Sequence, residues 1–117
     1  MQIEQRVFHG QPSAGVDLAF LRELAPQLVL AFGSPGWLKA LAGPLAVAAP
    51  GAILAGCSTA GEVANSGVSD DALVVTAVAF ERVRLSASVT RLVGMDDSED
   101  AGRRLAAALP RDGLGAV

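Results

Sequence analysis

Residues 27–32 read QLVLAF, a short uncharged run set between Pro26 and the pair Ser34-Pro35. Such a run is too brief for an independent helix and apolar at successive positions, which suits a strand buried on both faces. Ser34-Pro35 is a helix start, with Ser34 as N-cap and Pro35 at the first helical position, where its missing N–H is an orphan anyway. That helix carries Trp37, Leu38, Leu41 and Leu45. Pro44 falls inside the pattern and removes one backbone hydrogen bond, predicting a kink or an interruption, and Pro50-Gly51 closes the helix. Residues 52–55 (AILA) then read as a second short buried strand.

The flanking sequence extends this alternation. Residues 3–8 have the character of a first strand, broken by the Gly/Pro/Ser-rich residues 10–15. Leu18, Leu21, Leu24 and Ala25 follow at helical spacing, with Arg22 and Glu23 outward and Pro26 as the stop. Residues 73–80 (LVVTAVAF) and 83–90 (VRLSASVT) are separated only by Glu81-Arg82, a spacing that predicts an antiparallel hairpin. The second run alternates, with Val83, Leu85, Ala87 and Val89 on one face and Arg84, Ser86, Ser88 and Thr90 on the other, as for a strand near the sheet edge. Residues 96–109 form the last helix, with Asp96, Asp97, Glu99 and Asp100 at its start, Arg103 and Arg104 further along, and Pro110 as its stop. The order implies the α/β class: a mixed sheet of buried strands plus an antiparallel hairpin, covered by helices. The sequence ends where the alternation calls for another strand, so residues 1–117 read as the N-terminal portion of one longer domain, without an internal boundary.

A chain of 117 residues with 51% hydrophobic content buries about 65% of its unfolded surface, and 18% charged residues do not describe a disordered tail. A net charge of -3 without a basic stripe argues against nucleic acid as a partner. A single cysteine allows no intrachain disulfide, and the start MQIEQRVFHG lacks the apolar run of a secretory signal, so a cytoplasmic location is expected. Residues 40–61 carry no charge, but Gly43, Pro44, Pro50, Gly51 and Gly56 interrupt them, so no membrane span is expected.

Residues 56–62 (GCSTAGE) leave the second buried strand with two hydroxyls, a thiol, two glycines and a carboxylate. Thr59 and Glu62 have the capping-box spacing, so one reading is a helix start in which Thr59 caps and Glu62 reaches back. The other is a ligand loop, because loops at the carboxyl ends of strands in α/β sheets are where such folds bind ligands. Both readings stand on the residues alone.

The same segment, with the LVLAF strand, the Leu-rich helix after it, the DDALVVTAVAF strand and the acidic-start helix containing Gly102, resembles FIST domains, sensory modules of bacterial and other signalling proteins. The resemblance implies a non-enzymatic ligand-binding sensory domain. Its ligand would be an amino acid or a similar small metabolite, and its output partner a histidine kinase or a cyclic-di-GMP enzyme. It also implies that Gly56, Cys57, Ser58, Thr59, Gly61 and Glu62 form the site. The glycines would allow close backbone approach, Ser58 and Thr59 would exchange hydrogen bonds with the ligand, and Glu62 would pair with an ammonium group. Some family members hold haem as nitric oxide sensors, and a C-terminal half would complete the pocket.

An enzyme is the alternative, with Cys57 or Ser58 as nucleophile in a pocket completed by that C-terminal half. It lacks a neighbouring base in sequence, since the sole histidine is His9. The spacing from Gly56 to Gly61 is one residue too long for a nucleophile elbow, and Val63 stands where a thiol phosphatase would want arginine. One histidine and one cysteine cannot supply a usual metal set. His9 as an axial haem ligand is the remaining cofactor reading, and no cofactor is expected from the residues themselves. Asp70-Asp71 reads as a turn and Trp37 as a core aromatic.

Overall fold

A computed structural model describes residues 1–13, 15–64 and 67–117. Of the expected loop 10–15, Ala14 lies outside the described residues. The strands are β1 (Gln2–Phe8), β2 (Leu28–Gly33), β3 (Ile53–Ser58), β4 (Glu62–Ala64), β5 (Gly67–Ser69) and β6 (Leu73–Ala79); the helices are α1 (Ala19–Leu24), α2 (Pro35–Ala48) and α3 (Ser98–Ala108). The main sheet has the order β1-β6-β2-β3, with β6 antiparallel to both neighbours and β2 parallel to β3. β4 and β5 make a separate antiparallel pair. The α/β mixed sheet with helices is the class that the sequence predicts.

The register explains where the core sits. Val29 and Ala31 of β2 share a sheet face with Leu73, Val75 and Ala77 of β6, and these residues form one buried cluster with Leu21, Trp37, Leu41 and Leu45 from the two helices. Both α1 and α2 therefore cover the same face. That side gathers the large side chains, and Trp37 tilts against Phe8 with ring centroids 6.2 Å apart. The other face carries Leu28, Leu30 and Phe32 of β2 beside Ile53, Ala55 and Cys57 of β3.

Four expectations need correction. β2 is not buried on both faces: Val29 and Ala31 are buried under the helices, but Leu28 and Leu30 on the other face are half-buried and Phe32 is exposed. Pro44 does not interrupt α2, which runs through it as one helix although proline has no N–H to donate there. Residues 52–55 do not lie in a strand buried on both sides: β3 pairs with β2 alone among the described residues, and its positions 54–58 are exposed. Residues 83–90 form no strand, because β1 and β2 already occupy both hydrogen-bonding edges of β6 and leave none for a hairpin partner. No helix among the described residues is long and apolar enough to cross a membrane.

The backbone groups into two compact units, Met1–Val83 and Arg84–Val117. The first contains the sheets, α1 and α2. The second contains a 3-10 turn (Met95–Asp97) leading into α3, and it is organised around Arg104. This guanidinium donates to Thr90 Oγ1 at 3.0 Å, to the Arg91 carbonyl at 3.0 Å and to both Asp97 carboxylate oxygens at 3.0 and 2.8 Å.

Candidate functional site

Because β1, β2 and β3 run the same way and β6 runs against them, one end of the sheet collects the carboxyl ends of β1, β2 and β3 and the start of β6. The parallel ladder continues past β3, where Thr59 N–H donates to the Gly33 carbonyl at 3.1 Å. This bond seats the 56–62 segment directly beside the turn into α2. Close approach there depends on two glycines. A Cβ on Gly56 would overlap the Ala31 carbonyl of the paired strand, and one on Gly33 would lie 2.5 Å from the Ala72 carbonyl oxygen. Ser34 is the N-cap residue of α2, as the sequence predicts, but its side chain makes no capping hydrogen bond.

The six candidate residues separate into three environments. Cys57 and Ser58 are both exposed but alternate across the strand, Cys57 on the face with Phe32 and Ser58 on the helix-covered face. Gly56 and Gly61 are exposed, and Thr59 is half-buried. Glu62 is only 3% exposed.

No helix begins at Thr59. Instead Glu62 opens β4, so the capping-box reading is corrected to a loop-closing contact: Thr59 Oγ1 donates to Glu62 Oε1 at 2.6 Å. The spacing that predicts a cap does bring the two side chains together, but Glu62 Oε2 accepts from the Ala72 N–H at 3.2 Å, a partner ten residues later. That bond replaces the reach back to the Thr59 backbone.

Ala72 is the residue that sequence reasoning missed. It is fully buried, its carbonyl accepts from Ser34 N–H at 3.1 Å, and the preceding carbonyl of Asp71 accepts from Trp37 Nε1 at 3.1 Å. Asp71 takes a left-handed φ of 53°, a conformation that aspartate tolerates better than most residues. The Asp70-Asp71 turn is the one signal in the sequence for this corner. A Cβ on Gly61 would lie 3.4 Å from Asp70 Oδ1, so a second carboxylate borders the loop.

His9 is exposed just beyond the carboxyl end of β1. Three strand spacings separate β1 from β3, about 14 Å. Among the described residues no group of three or more His, Cys, Asp or Glu side chains could hold a metal ion. A shallow groove of about 230 Å³, lined by Leu21, Ala25, Pro26, Ala49 and Pro50 with Arg22 beside them, lies at the amino ends of β2 and β3. It is at the opposite end of the sheet from residues 56–62.

The sequence pattern of the FIST N domain matches residues 27–116, a range that begins just before β2 and takes in both the 56–62 loop and α3. The chain belongs to the FIST N domain family. FIST N domains are sensory domains of signalling proteins. No curated protein and no solved structure matches the chain. Within this FIST N domain, β1 and α1 precede the matched range, although β1 completes the pairing of β6.

Proposed function

We propose that this FIST N domain is a cytoplasmic input domain that binds a small metabolite, an amino acid being the leading candidate, through the loop after β3. Gly56, Cys57, Ser58, Thr59 and Gly61 supply the contacts, and Glu62 supplies the charge beneath them. The observation that carries this reading is the position of the loop. It sits at the carboxyl ends of a parallel strand pair, hydrogen-bonded to the turn that starts α2, with its thiol and one hydroxyl exposed. Output passes to a histidine kinase or a cyclic-di-GMP enzyme. Binding without turnover is proposed because Cys57 and Ser58 face opposite sides of the sheet and His9 follows β1, which β6 and β2 separate from β3.

Thermal unfolding against amino acids, other small metabolites and haemin tests the proposal. A ligand at about 100 times its dissociation constant adds roughly 2.7 kcal/mol and raises the midpoint by several degrees. The rise should disappear when Ser58 and Thr59 are both replaced by alanine. A rise that survives this double change would place the ligand elsewhere.

A further inference from the structure

Glu62 is the only charged side chain among the described residues that is buried, and it lies beneath an exposed loop. Removing a carboxylate from water is costly unless donors replace the lost hydration. Here both oxygens accept, one from Thr59 Oγ1 at 2.6 Å and one from the Ala72 N–H at 3.2 Å, as expected for an ionised carboxylate. The Ala72 end is held in place, since Ser34 N–H donates to the Ala72 carbonyl and Trp37 Nε1 to the adjoining Asp71 carbonyl. The Thr59 end is half-exposed.

A threonine hydroxyl has one proton and two acceptor lone pairs. With its proton committed to Glu62, Thr59 can offer an incoming ligand only lone pairs. A ligand carboxylate would have to take that proton away from Glu62 and would also meet the charges of Glu62 and Asp70. An ammonium group meets an oriented acceptor backed by the Glu62 carboxylate, with the Asp70 carboxylate bordering the same loop at Gly61.

We infer that Glu62 is a positioning residue that turns Thr59 into an acceptor, so that the loop selects ligands presenting a protonated amine and rejects those presenting only a carboxylate. This inference rests on the loop being the ligand site. It specifies which chemical end of the ligand docks at Thr59.

Two probes of one skeleton separate the possibilities: alaninamide, with an ammonium and no carboxylate, and N-acetylalanine, with a carboxylate and no ammonium. Each is titrated into the ¹⁵N-labelled chain at mildly acidic pH while the amide signals of residues 56–62 and Ala72 are followed. Alaninamide should bind about tenfold more tightly than N-acetylalanine, with shifts centred on Thr59. Glu62→Gln removes the charge and can donate from its own amide to Thr59, so the preference should fall towards equality. Thr59→Val removes the acceptor but keeps the Glu62 bond to Ala72, and the alaninamide response should be lost while the Ala72 signal stays in place. If Glu62→Gln fails to fold, Thr59→Val decides the question. Equal or inverted preference in the unmodified chain, or a preference that survives both changes, overturns the inference and leaves the ligand site standing. Shifts from neither probe at residues 56–62 count against both.

Discussion

Met1–Val83 and Arg84–Val117 are both compact, yet different forces hold them. The first encloses Leu21, Trp37, Leu41 and Val75 with almost no exposure, whereas Ala101 is the buried apolar residue of the second. Val89, Val93 and Met95 stand 94%, 84% and 87% exposed in that second unit, and its order comes from Arg104 reaching Thr90, Arg91 and Asp97. Burial of apolar surface involves no charge to screen or titrate, while exposed ion pairs are screened and titrate. The candidate site lies entirely in the first kind of structure, on a sheet edge whose partners are fixed by the core.

The sharpest way to break this contrast is to remove equal amounts of side chain from each unit. Leu41→Ala leaves a cavity at a fully buried position and should cost about 3 kcal/mol, within the usual range for such a change. The unfolding midpoint can be followed by fluorescence of Trp37, the sole tryptophan and a resident of the first unit. Met95→Ala, at an exposed position in the second unit, should move stability by no more than about 0.5 kcal/mol. Comparable losses from the two changes would show that Met95 is covered in solution.

Glycines give the next largest effect, with opposite signs expected. Gly56→Ala puts a Cβ into the Ala31 carbonyl across the β2–β3 ladder, so the strands must part and stability should fall by about 1–3 kcal/mol. Gly102→Ala, in the middle of α3 with no atom within 4 Å of the added carbon, should stabilise that helix by about 0.5–1 kcal/mol. Urea unfolding read by Trp37 fluorescence for the first change and by far-ultraviolet circular dichroism for the second checks both. A neutral Gly56→Ala would mean that β3 is not held in register against β2.

What could be read from the sequence follows the same division. QLVLAF, Ser34-Pro35 and the leucines of α2 announce a strand and a helix because the apolar run and the helix start are local signals, and the structure keeps both elements; that helices cover only one face of β2 is not written in the run itself. Residues 83–90 carry equally clean alternation yet form no strand, because a strand also needs a free edge and β6 has none left. The pair Thr59 and Glu62 was legible as a contact from its spacing alone. That it closes a loop rather than caps a helix depends on Ala72, brought in by the placement of β6, and no local pattern encodes that distant donor.

The smallest effect belongs to Asp97, and it tests the polar side of the comparison. Arg104 hydrogen-bonds its carboxylate, the Val93 N–H adds a second bond, and together they hold its pKa below the ordinary value despite some opposing desolvation. A lowered folded-state pKa means that the unfolded chain binds the proton more readily. Its contribution to stability is therefore complete above the ordinary aspartate pKa, near 3.9, and is lost as pH falls through the lower folded value. Protonation removes the charge that Arg104 pairs with, and the 90–97 segment loses its anchor before the core of the first unit is touched. Amide exchange at Val93 should accelerate over this acid window beyond its intrinsic pH dependence, while Val75 in β6 stays protected. Asp97→Asn should abolish the excess acceleration, and high salt should reproduce part of it at neutral pH. If Val93 and Val75 instead lost protection together, the two units would be unfolding as one, and the distinction between an apolar and an ionic half of the chain would fail.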